Sequence, residues 1–453
     1  MQFATFSQSH GVNNVCRVLL SCEQGMLSCD RGGLCASLLN VMGSITGRRD
    51  ESQEPICTQQ ACGPAQVFWQ ALLAGDQGTV AKILRDPQNN LSPNAVFDTS
   101  DLEEWKNYRF NPRGLRLWSL SYEQELTTPL HITAGRGYAD CLRLLLLRGA
   151  AVDFAPGGKT ALHEACAAAS TACVRLLLGS GADPEAVSED GYRPLHLCKS
   201  SDSIECVRLL LQHGASVNSQ TEEEKDTALH VASRHGLVEH IQLLLHHGAE
   251  LEVKNKEGQT PLNAACAQHH QPQDMDRYYR VCQLLVEHGA SINAEDQDRQ
   301  HPLHLACKNA NAQIAELLLA RGANVNVMNY GGNTALHNIL QVAAYKLEHR
   351  PELVVQALLN HGAVRIWPGS LLKVQGVCGS GGVGTTPGVI SSKYPCFYQS
   401  LFSLGHRPRS LQHLARCTLR TLLEGRLLLV LSQLHLPSAL HQFLLLGFED
   451  VLY

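Results

Sequence analysis

Thr128-Pro129-Leu130-His131 is the first of seven related tetrapeptides whose recurrence decides the fold. It returns as Thr160-Ala161-Leu162-His163, Arg193-Pro194-Leu195-His196 and Thr227-Ala228-Leu229-His230, then as Thr260-Pro261-Leu262-Asn263, His301-Pro302-Leu303-His304 and Thr334-Ala335-Leu336-His337. Successive starts lie 32, 33, 34, 33, 41 and 33 residues apart. Each unit closes on a Gly-Ala pair: Gly149-Ala150, Gly181-Ala182, Gly214-Ala215, Gly248-Ala249, Gly289-Ala290, Gly322-Ala323 and Gly362-Ala363. A fixed period of this length is the mark of stacked supersecondary units.

The chemistry of one unit accounts for its letters. Thr caps a helix by accepting from free backbone N–H groups, worth about 1 kcal/mol. Pro at the first helical position has its φ preset and lacks an N–H that would go unpaired. A second helix carries an apolar stripe, as in Cys173-Val174-Arg175-Leu176-Leu177-Leu178 or Ile314-Ala315-Glu316-Leu317-Leu318-Leu319, and the following Gly supplies the left-handed cap. One unit cannot bury that stripe alone, so neighbours stack into a continuous core. The motif histidines are expected to hydrogen-bond between neighbouring units. Over roughly Glu125–Val364 the pattern resembles the ankyrin repeat.

Two units break the period. The 41-residue step contains His269-His270-Gln271-Pro272-Gln273-Asp274-Met275-Asp276, an excess too polar for the core and placed in the turn between the unit's two helices. The last unit is extended through Tyr345-Lys346-Leu347-Glu348-His349-Arg350-Pro351. Such insertions collect on one face of a solenoid and often contribute to binding. Upstream, Val67–Asp76 followed by Val80–Leu84 reads as a degenerate unit, and Asp98–Leu126, with Trp105, Tyr108, Phe110 and Trp118, as an irregular extension capping the array.

Composition narrows the function. A net charge of −5 leaves no basic footprint for nucleic acid or an anionic membrane. The longest C-terminal apolar run, Leu427–Leu431, is far short of the roughly 20 residues that span a bilayer. Without a secretory signal at the start, the 17 cysteines are expected to be reduced, in cytoplasm or nucleus. Of the six in residues 1–63 (16, 22, 29, 35, 57 and 62), only Cys57 and Cys62 have metal-ligand spacing. No metal or cofactor is expected. Gly379-Ser380-Gly381-Gly382-Val383-Gly384 fits a dinucleotide fingerprint, but Thr385-Thr386-Pro387-Gly388 follows instead of a helix, and the next acidic residue is Glu424. His163-Glu164 lacks the second His of a zinc protease. No catalytic set stands outside the repeat, so the reading is a protein that is not an enzyme.

The C-terminal chain carries two short motifs in order: Ser410-Leu411-Gln412-His413-Leu414-Ala415-Arg416-Cys417-Thr418-Leu419-Arg420, then Leu434-His435-Leu436-Pro437-Ser438-Ala439-Leu440-His441-Gln442-Phe443-Leu444. A helix over about Pro408–Leu423 puts Leu411, Leu414, Ala415, Thr418 and Leu422 near one side, with Leu419 at its margin. A lone helix of that length is marginal in water, so such a stripe needs a cover. The pair resembles a SOCS box, and the chain as a whole resembles the ankyrin repeat and SOCS box family over about Phe68–Leu372 and Phe397–Tyr453. The resemblance implies an elongin C-binding set at Ser410, Leu411, Leu414, Ala415 and Leu419. It likewise implies a cullin-binding set at Leu434, Leu436, Pro437, Leu440, Phe443 and Leu444. The chain departs from the family at His435, where Pro is usual, and along Gln375–Tyr394, a Gly-, Ser- and Thr-rich stretch expected not to fold.

The expected fold class is all-α dominated: an ankyrin-repeat solenoid of helix-turn-helix plus hairpin units, followed by a short C-terminal helical SOCS box. The divisions are a disordered segment 1–63, a degenerate unit with capping extension 64–126, seven repeats 127–365, a Gly-rich linker 366–405 and the box 406–453. The function implied is that of a cytoplasmic substrate-recognition subunit of a cullin-5 RING ubiquitin ligase. Its partners are elongin B, elongin C, cullin-5, a RING-box protein and an unknown protein substrate. The hairpin tips lean acidic at Glu189, Asp190, Glu222, Glu223, Glu224, Glu295, Asp296 and Asp298, against Lys225, Lys254, Lys256 and Arg299, so a basic substrate patch is expected there. The alternative is a non-catalytic scaffold whose C-terminal helices only cap the solenoid.

Overall fold

A computed structural model of the chain describes residues 55–57, 63–89, 91–98, 126–269, 271–343, 345–364, 411–423, 430–431, 433, 435–438, 440 and 444. The chain divides into two units, Met1–Ile56 and Cys57–Tyr453; of the first, only Pro55 and Ile56, in a short strand, are described. The segment expected to be disordered, the capping aromatics Trp105 to Trp118 and the Gly-rich stretch Gln375–Tyr394 otherwise lie outside the described residues.

The solenoid begins with α1 (Pro64–Ala74) and α2 (Gln77–Arg85), joined by Gly75 at φ +71° and capped by Asp76, whose carboxylate accepts from the N–H groups of Gly78 and Thr79. Val96–Asp98 pairs antiparallel with Leu126–Thr127, and this ribbon sets Phe97 against Phe68 and Trp69, ring centroids 6.2 and 4.9 Å away. The helix pair stacks on the first full unit in the manner of a repeat. Tyr138 donates its hydroxyl to Leu73 O (3.3 Å), and Arg148 its guanidinium to Leu84 O (3.0 Å).

The seven units follow. Their helices are α3 (Pro129–Gly135) and α4 (Ala139–Leu147), α5 (Ala161–Ala167) and α6 (Thr171–Gly179), then α7 (Ile204–Gln212) alone in the third unit. The rest are α8 (Ala228–Arg234) and α9 (Val238–His246), α10 (Pro261–Ala267) and α11 (Met275–Glu287), α12 (Pro302–Lys308) and α13 (Ala312–Ala320), and α14 (Ala335–Val342) and α15 (Pro351–Asn360). First helices pack on first helices and second on second. Between the two layers lie Leu142, Leu177, Leu210, Ile241, Leu285 and Leu318, all fully buried. The thiols of Cys166, Cys173, Cys206, Cys266, Cys282 and Cys307 fill the same layer as small apolar groups; burial pushes the Cys206 thiol up to about 11.

Five of the motif histidines tie their own helix to the next unit. The N–H of the capping residue donates to Nδ1 in five units: Thr160 to His163 (3.2 Å), Arg193 to His196 (3.2 Å), Thr227 to His230 (3.2 Å), His301 to His304 (3.1 Å) and Thr334 to His337 (3.2 Å). With Nδ1 accepting, Nε2 carries the proton and donates forward. His131 reaches Lys159 O (2.7 Å), His163 reaches Tyr192 O (3.0 Å), His196 reaches Ser219 O (3.0 Å), His230 reaches Gln259 O (2.9 Å) and His304 reaches Val327 O (3.0 Å). In the fifth unit Asn263 does the same work, donating Nδ2 to Ala294 O at 3.2 Å. Backbone bonds link the hairpin tips too: Glu189 N to Gly158 O, Glu222 N to Gly191 O, Lys256 N to Glu224 O, Gln297 N to Glu257 O and Tyr330 N to Asp298 O, at 2.8 to 3.1 Å.

Burial holds these imidazoles neutral: His131 and His304 are pulled down to about 4, and His163, His196, His230 and His337 are also lowered. His240, whose Nε2 meets Ser203 Oγ at 3.0 Å, falls to about 4 as well. A histidine whose folded pKa lies below its unfolded value of 6.5 favours the unfolded chain once protons bind there first. Stability is therefore expected to hold above pH 6.5 and to fall between 6.5 and about 4, by up to about 1.4 kcal/mol per pH unit for each strongly lowered histidine. Urea midpoints measured at pH 7.5, 6 and 5 would check this; a flat profile would mean the histidines protonate freely.

Two units differ from the period's expectation. In the third, the first helix is only a 3-10 turn, Pro194–Leu197. Lys199-Ser200-Ser201 follows it, and serines there bond locally instead of extending a helix: Ser203 Oγ donates to Ser200 O at 2.6 Å. In the fifth, the eight extra residues divide. Helix starts are 14 apart (261 to 275) where the fourth unit has 10 (228 to 238), and α11 has 13 residues where α9 has nine. Half the excess lengthens the turn and half adds a helical turn.

Candidate functional site

The first C-terminal motif folds as α16 (Leu411–Leu423), a 13-residue helix. Its apolar side faces out. Leu414 and Leu419 are each 44% exposed and Leu422 70%, while Ala415 and Thr418 are also exposed. These positions recur at i, i+4 and i+8, with their neighbours, along one stripe of the helix. Leu411, its first residue, lies one turn ahead of Leu414 and Ala415 in that register. The residue turned fully inward is Arg416, 0% exposed. Beside it, half-buried Cys417 abuts the last repeat: a Cβ built on Gly362 would meet Cys417 Sγ at 3.2 Å and its Cβ at 3.3 Å. The helix thus meets the array through Cys417, leaving Leu414, Leu419 and Leu422 uncovered. Of the residues expected to meet elongin C, Ser410 lies outside the described residues.

The box has a small core of its own. Leu431 and Leu444 are buried there, with Leu423 and Leu436 packed against them. Of the residues expected to meet the cullin, Leu444 and Leu436 thus lie in or against that core. Pro437 and Leu440 face outward, and Leu434 and Phe443 lie outside the described residues. Neither Arg416 nor Gly362 was singled out by sequence reasoning. An arginine within an apolar-polar alternation reads as solvated, and Gly362 reads as one more helix cap.

Gly362 sits at φ +91°, ending α15, and a side chain there meets both backbone strain and Cys417. Gly289, at φ +97° with nothing within 4 Å, shares only the strain. Both Gly→Ala changes are expected to cost about 1–2 kcal/mol in unfolding free energy. Only Gly362→Ala should speed alkylation of Cys417, followed by mass spectrometry; equal labelling in the two variants would show that the box helix does not rest on that glycine.

At the acidic tips, local cations meet several of the expected residues. Lys159 pairs with Asp190 (3.1 Å), Lys256 with Glu224 (3.8 Å) and Arg299 with Glu295 (3.6 Å). Asp296 closes its own turn by accepting from the N–H groups of Asp298 (2.9 Å) and Gln300 (2.7 Å). Glu189, Glu222, Glu223 and Asp298 stand exposed. Next to them Tyr330 and Met328 are 72% and 56% exposed, with the Arg299 guanidinium 5.8 Å from the Tyr330 ring centroid. Among the described residues, no group of three or more His, Cys, Asp or Glu side chains is placed to hold a metal ion. No described helix is long and apolar enough to cross a membrane.

Solenoid and box both have matches among known proteins. Ankyrin repeats (3 copies) match residues 115–188, 167–255, 222–296, 248–329 and 273–366, and the SOCS box matches 407–445. The chain belongs to the ankyrin repeat and SOCS box family. Within it, the chain is 48% identical over 456 residues to ankyrin repeat and SOCS box protein 10 of Mus musculus, covering 95% of this chain and 98% of the mouse protein. With the Homo sapiens protein of that name it shares 50% identity over 449 residues, 94% of this chain and 96% of the human protein. The crystal structure of the human ASB11 ankyrin repeat domain is 31% identical, covers 51% of this chain and 97% of that chain, and superposes with a TM-score of 0.44.

Proposed function

We propose that this chain is the substrate-recognition subunit of a cullin-5 RING ubiquitin ligase. The observation that carries the reading is the outward apolar stripe of α16, Leu414, Leu419 and Leu422, on a helix whose Arg416 is buried instead. Such a helix is ready-made for a partner that covers leucines, and in SOCS-box proteins that partner is elongin C. Elongin B, cullin-5 and a RING-box protein complete the assembly, with the cullin meeting the exposed Pro437 and Leu440. The array holds a protein substrate along its hairpin tips, where Glu189, Glu222, Glu223 and Asp298 suit a basic patch. The chain supplies proximity rather than bond chemistry, raising the effective concentration of substrate lysines near the charged conjugating enzyme. Its place of work is the cytoplasm, with access to the nucleus.

The contact of Cys417 with Gly362 favours a second reading, in which the C-terminal helices serve only to cap the solenoid. Co-expression with and without elongins B and C, followed by size-exclusion chromatography and mass determination, separates the two. A stable ternary complex supports the adaptor. A folded, monodisperse chain that elutes free of both elongins would leave the cap.

A further inference from the structure

Two thiols of the fifth unit, Cys266 near the end of α10 and Cys282 within α11, face each other with their sulfurs 3.8 Å apart. Both are fully buried. They stand 16 positions apart in the chain and bracket the polar insertion between the two helices. Sulfurs already in contact need only a small approach to reach the covalent S–S length of about 2.05 Å.

The end of α10 is held differently from its counterparts. In the first, second, fourth and sixth units, the carbonyl of the first helix's sixth residue accepts from the backbone N–H three residues on. Gly137 donates to Ala134 O, Ala169 to Cys166 O, Gly236 to Ser233 O and Ala310 to Cys307 O, at 3.1 to 3.3 Å. Those helices are closed by their own turn. In the fifth unit Gln268 is extended (φ −65°, ψ 149°) and leads into the insertion. Cys266 O is met from outside the unit, by Asn309 Nδ2 of the sixth at 2.7 Å. A single side-chain bond from a neighbour thus stands in for a local turn. Loss of that bond frees the end of α10, a local opening of the kind that costs far less than unfolding the array. While the unit is closed, the adjoining Cys282 thiol and then burial hold Cys266 protonated. A protonated, enclosed thiol is inert, so opening is the step that admits an oxidant.

We propose that Cys266 and Cys282 are a redox-responsive dithiol, closed to a disulfide by hydrogen peroxide when the end of α10 opens. Cys266 sulfur attacks the O–O bond, which breaks to give a sulfenic acid and one water. Cys282 sulfur then attacks that sulfur; the S–S bond forms, the S–O bond breaks and a second water leaves. Two electrons pass from the thiols to the peroxide, and the two thiol protons end in the waters. The product ties α10 to α11 across the insertion, fixing the turn that opening would release. The device lies within the repeat array and does not depend on α16 or its elongin partner.

The test treats the purified, fully reduced full chain with hydrogen peroxide and caps the remaining thiols with N-ethylmaleimide. Peptides digested without reduction are then read by mass spectrometry. A Cys266–Cys282 cross-link is expected as the leading disulfide, reversed by dithiothreitol and forming roughly threefold faster or more in Asn309→Ala, where the end of α10 opens more readily. Sub-denaturing urea should speed the reaction in wild type, so the outcome does not hang on how well Asn309→Ala folds. In Cys282→Ala the sulfenic acid has no partner, and dimedone should trap it at Cys266. Absence of the cross-link while other cysteines oxidise, or a rate unmoved by both Asn309→Ala and urea, overturns the proposal.

Discussion

Leu414→Asp is expected to remove elongin C from the complex while leaving the chain folded. Leu414 is 44% exposed on the uncovered stripe of α16, so a carboxylate there stays hydrated in the free chain and costs little. Once a partner closes over the stripe, that charge is stripped of water without a counter-ion. Anchor residues of this kind typically contribute about 2–4 kcal/mol, roughly 30- to 700-fold in affinity. Pull-down with immobilised elongin B/C should retain wild type and Glu189→Ala, the latter lying on the array, and lose Leu414→Asp at matched thermal stability. If Leu414→Asp were retained as well as wild type, the stripe would not be the elongin surface. If it unfolded the chain, the helix would be packed more deeply than its exposure indicates.

The second large effect concerns stability. His163→Ala is expected to cost about 2–3 kcal/mol, because it strands the buried Thr160 N–H that donates to Nδ1 and takes the Nε2 donor from the Tyr192 carbonyl, which keeps only the Ser188 N–H. Both lie at fully buried imidazole, so water does not readily take its place. The fifth unit supplies the control. Asn263 stands where the others have histidine, accepts from the Thr260 hydroxyl (3.1 Å) and donates to Ala294 O (3.2 Å). His163→Asn should therefore recover about half of the loss. Urea unfolding at pH 7.5, where the histidines are neutral, measures both. Equal midpoints for the Ala and Asn variants would show that packing volume, not the forward hydrogen bond, is what the histidine contributes.

The solenoid was legible because its determinants are local and repeated. A cap, a preset φ, an apolar stripe and a left-handed glycine sit within each unit, and seven copies remove chance. What escaped was decided by packing between segments. Lys199-Ser200-Ser201 reduced one helix to a 3-10 turn although the tetrapeptide ahead of it was intact. The polar insertion of the fifth unit read as all turn, yet Met275–Glu287 absorbed half of it as helix, because Tyr278 reaches back to donate its hydroxyl to Arg234 O at 2.8 Å. The stripe on α16 was visible from its spacing, but which side it faced was not. Ordinary amphipathic reasoning puts Arg416 in solvent and the leucines in the core, the reverse of their burial. Leu436 and Leu444 likewise fit a docking motif on paper while packing at the box's own core. That Asn309 ties α10, through Cys266 O, to Lys346 of the seventh unit also followed only from the packing.

The forward direction of the histidine bonds has a consequence for how the protein is made. Every acceptor lies 23 to 29 residues further along the chain than its donor. A ribosome delivers the amino-terminal side first, at roughly 5–20 residues per second. A newly emerged unit thus waits a few seconds, by that rate, for the carbonyl that completes it, and ordering trails synthesis by one unit. The nascent array always ends in an unfinished seam whose imidazole N–H is still seeking its acceptor. The last such seam, from His304 to Val327, closes one unit before Gly362, on which the box helix settles, so the leucines of α16 come into position only after the scaffold behind them is whole.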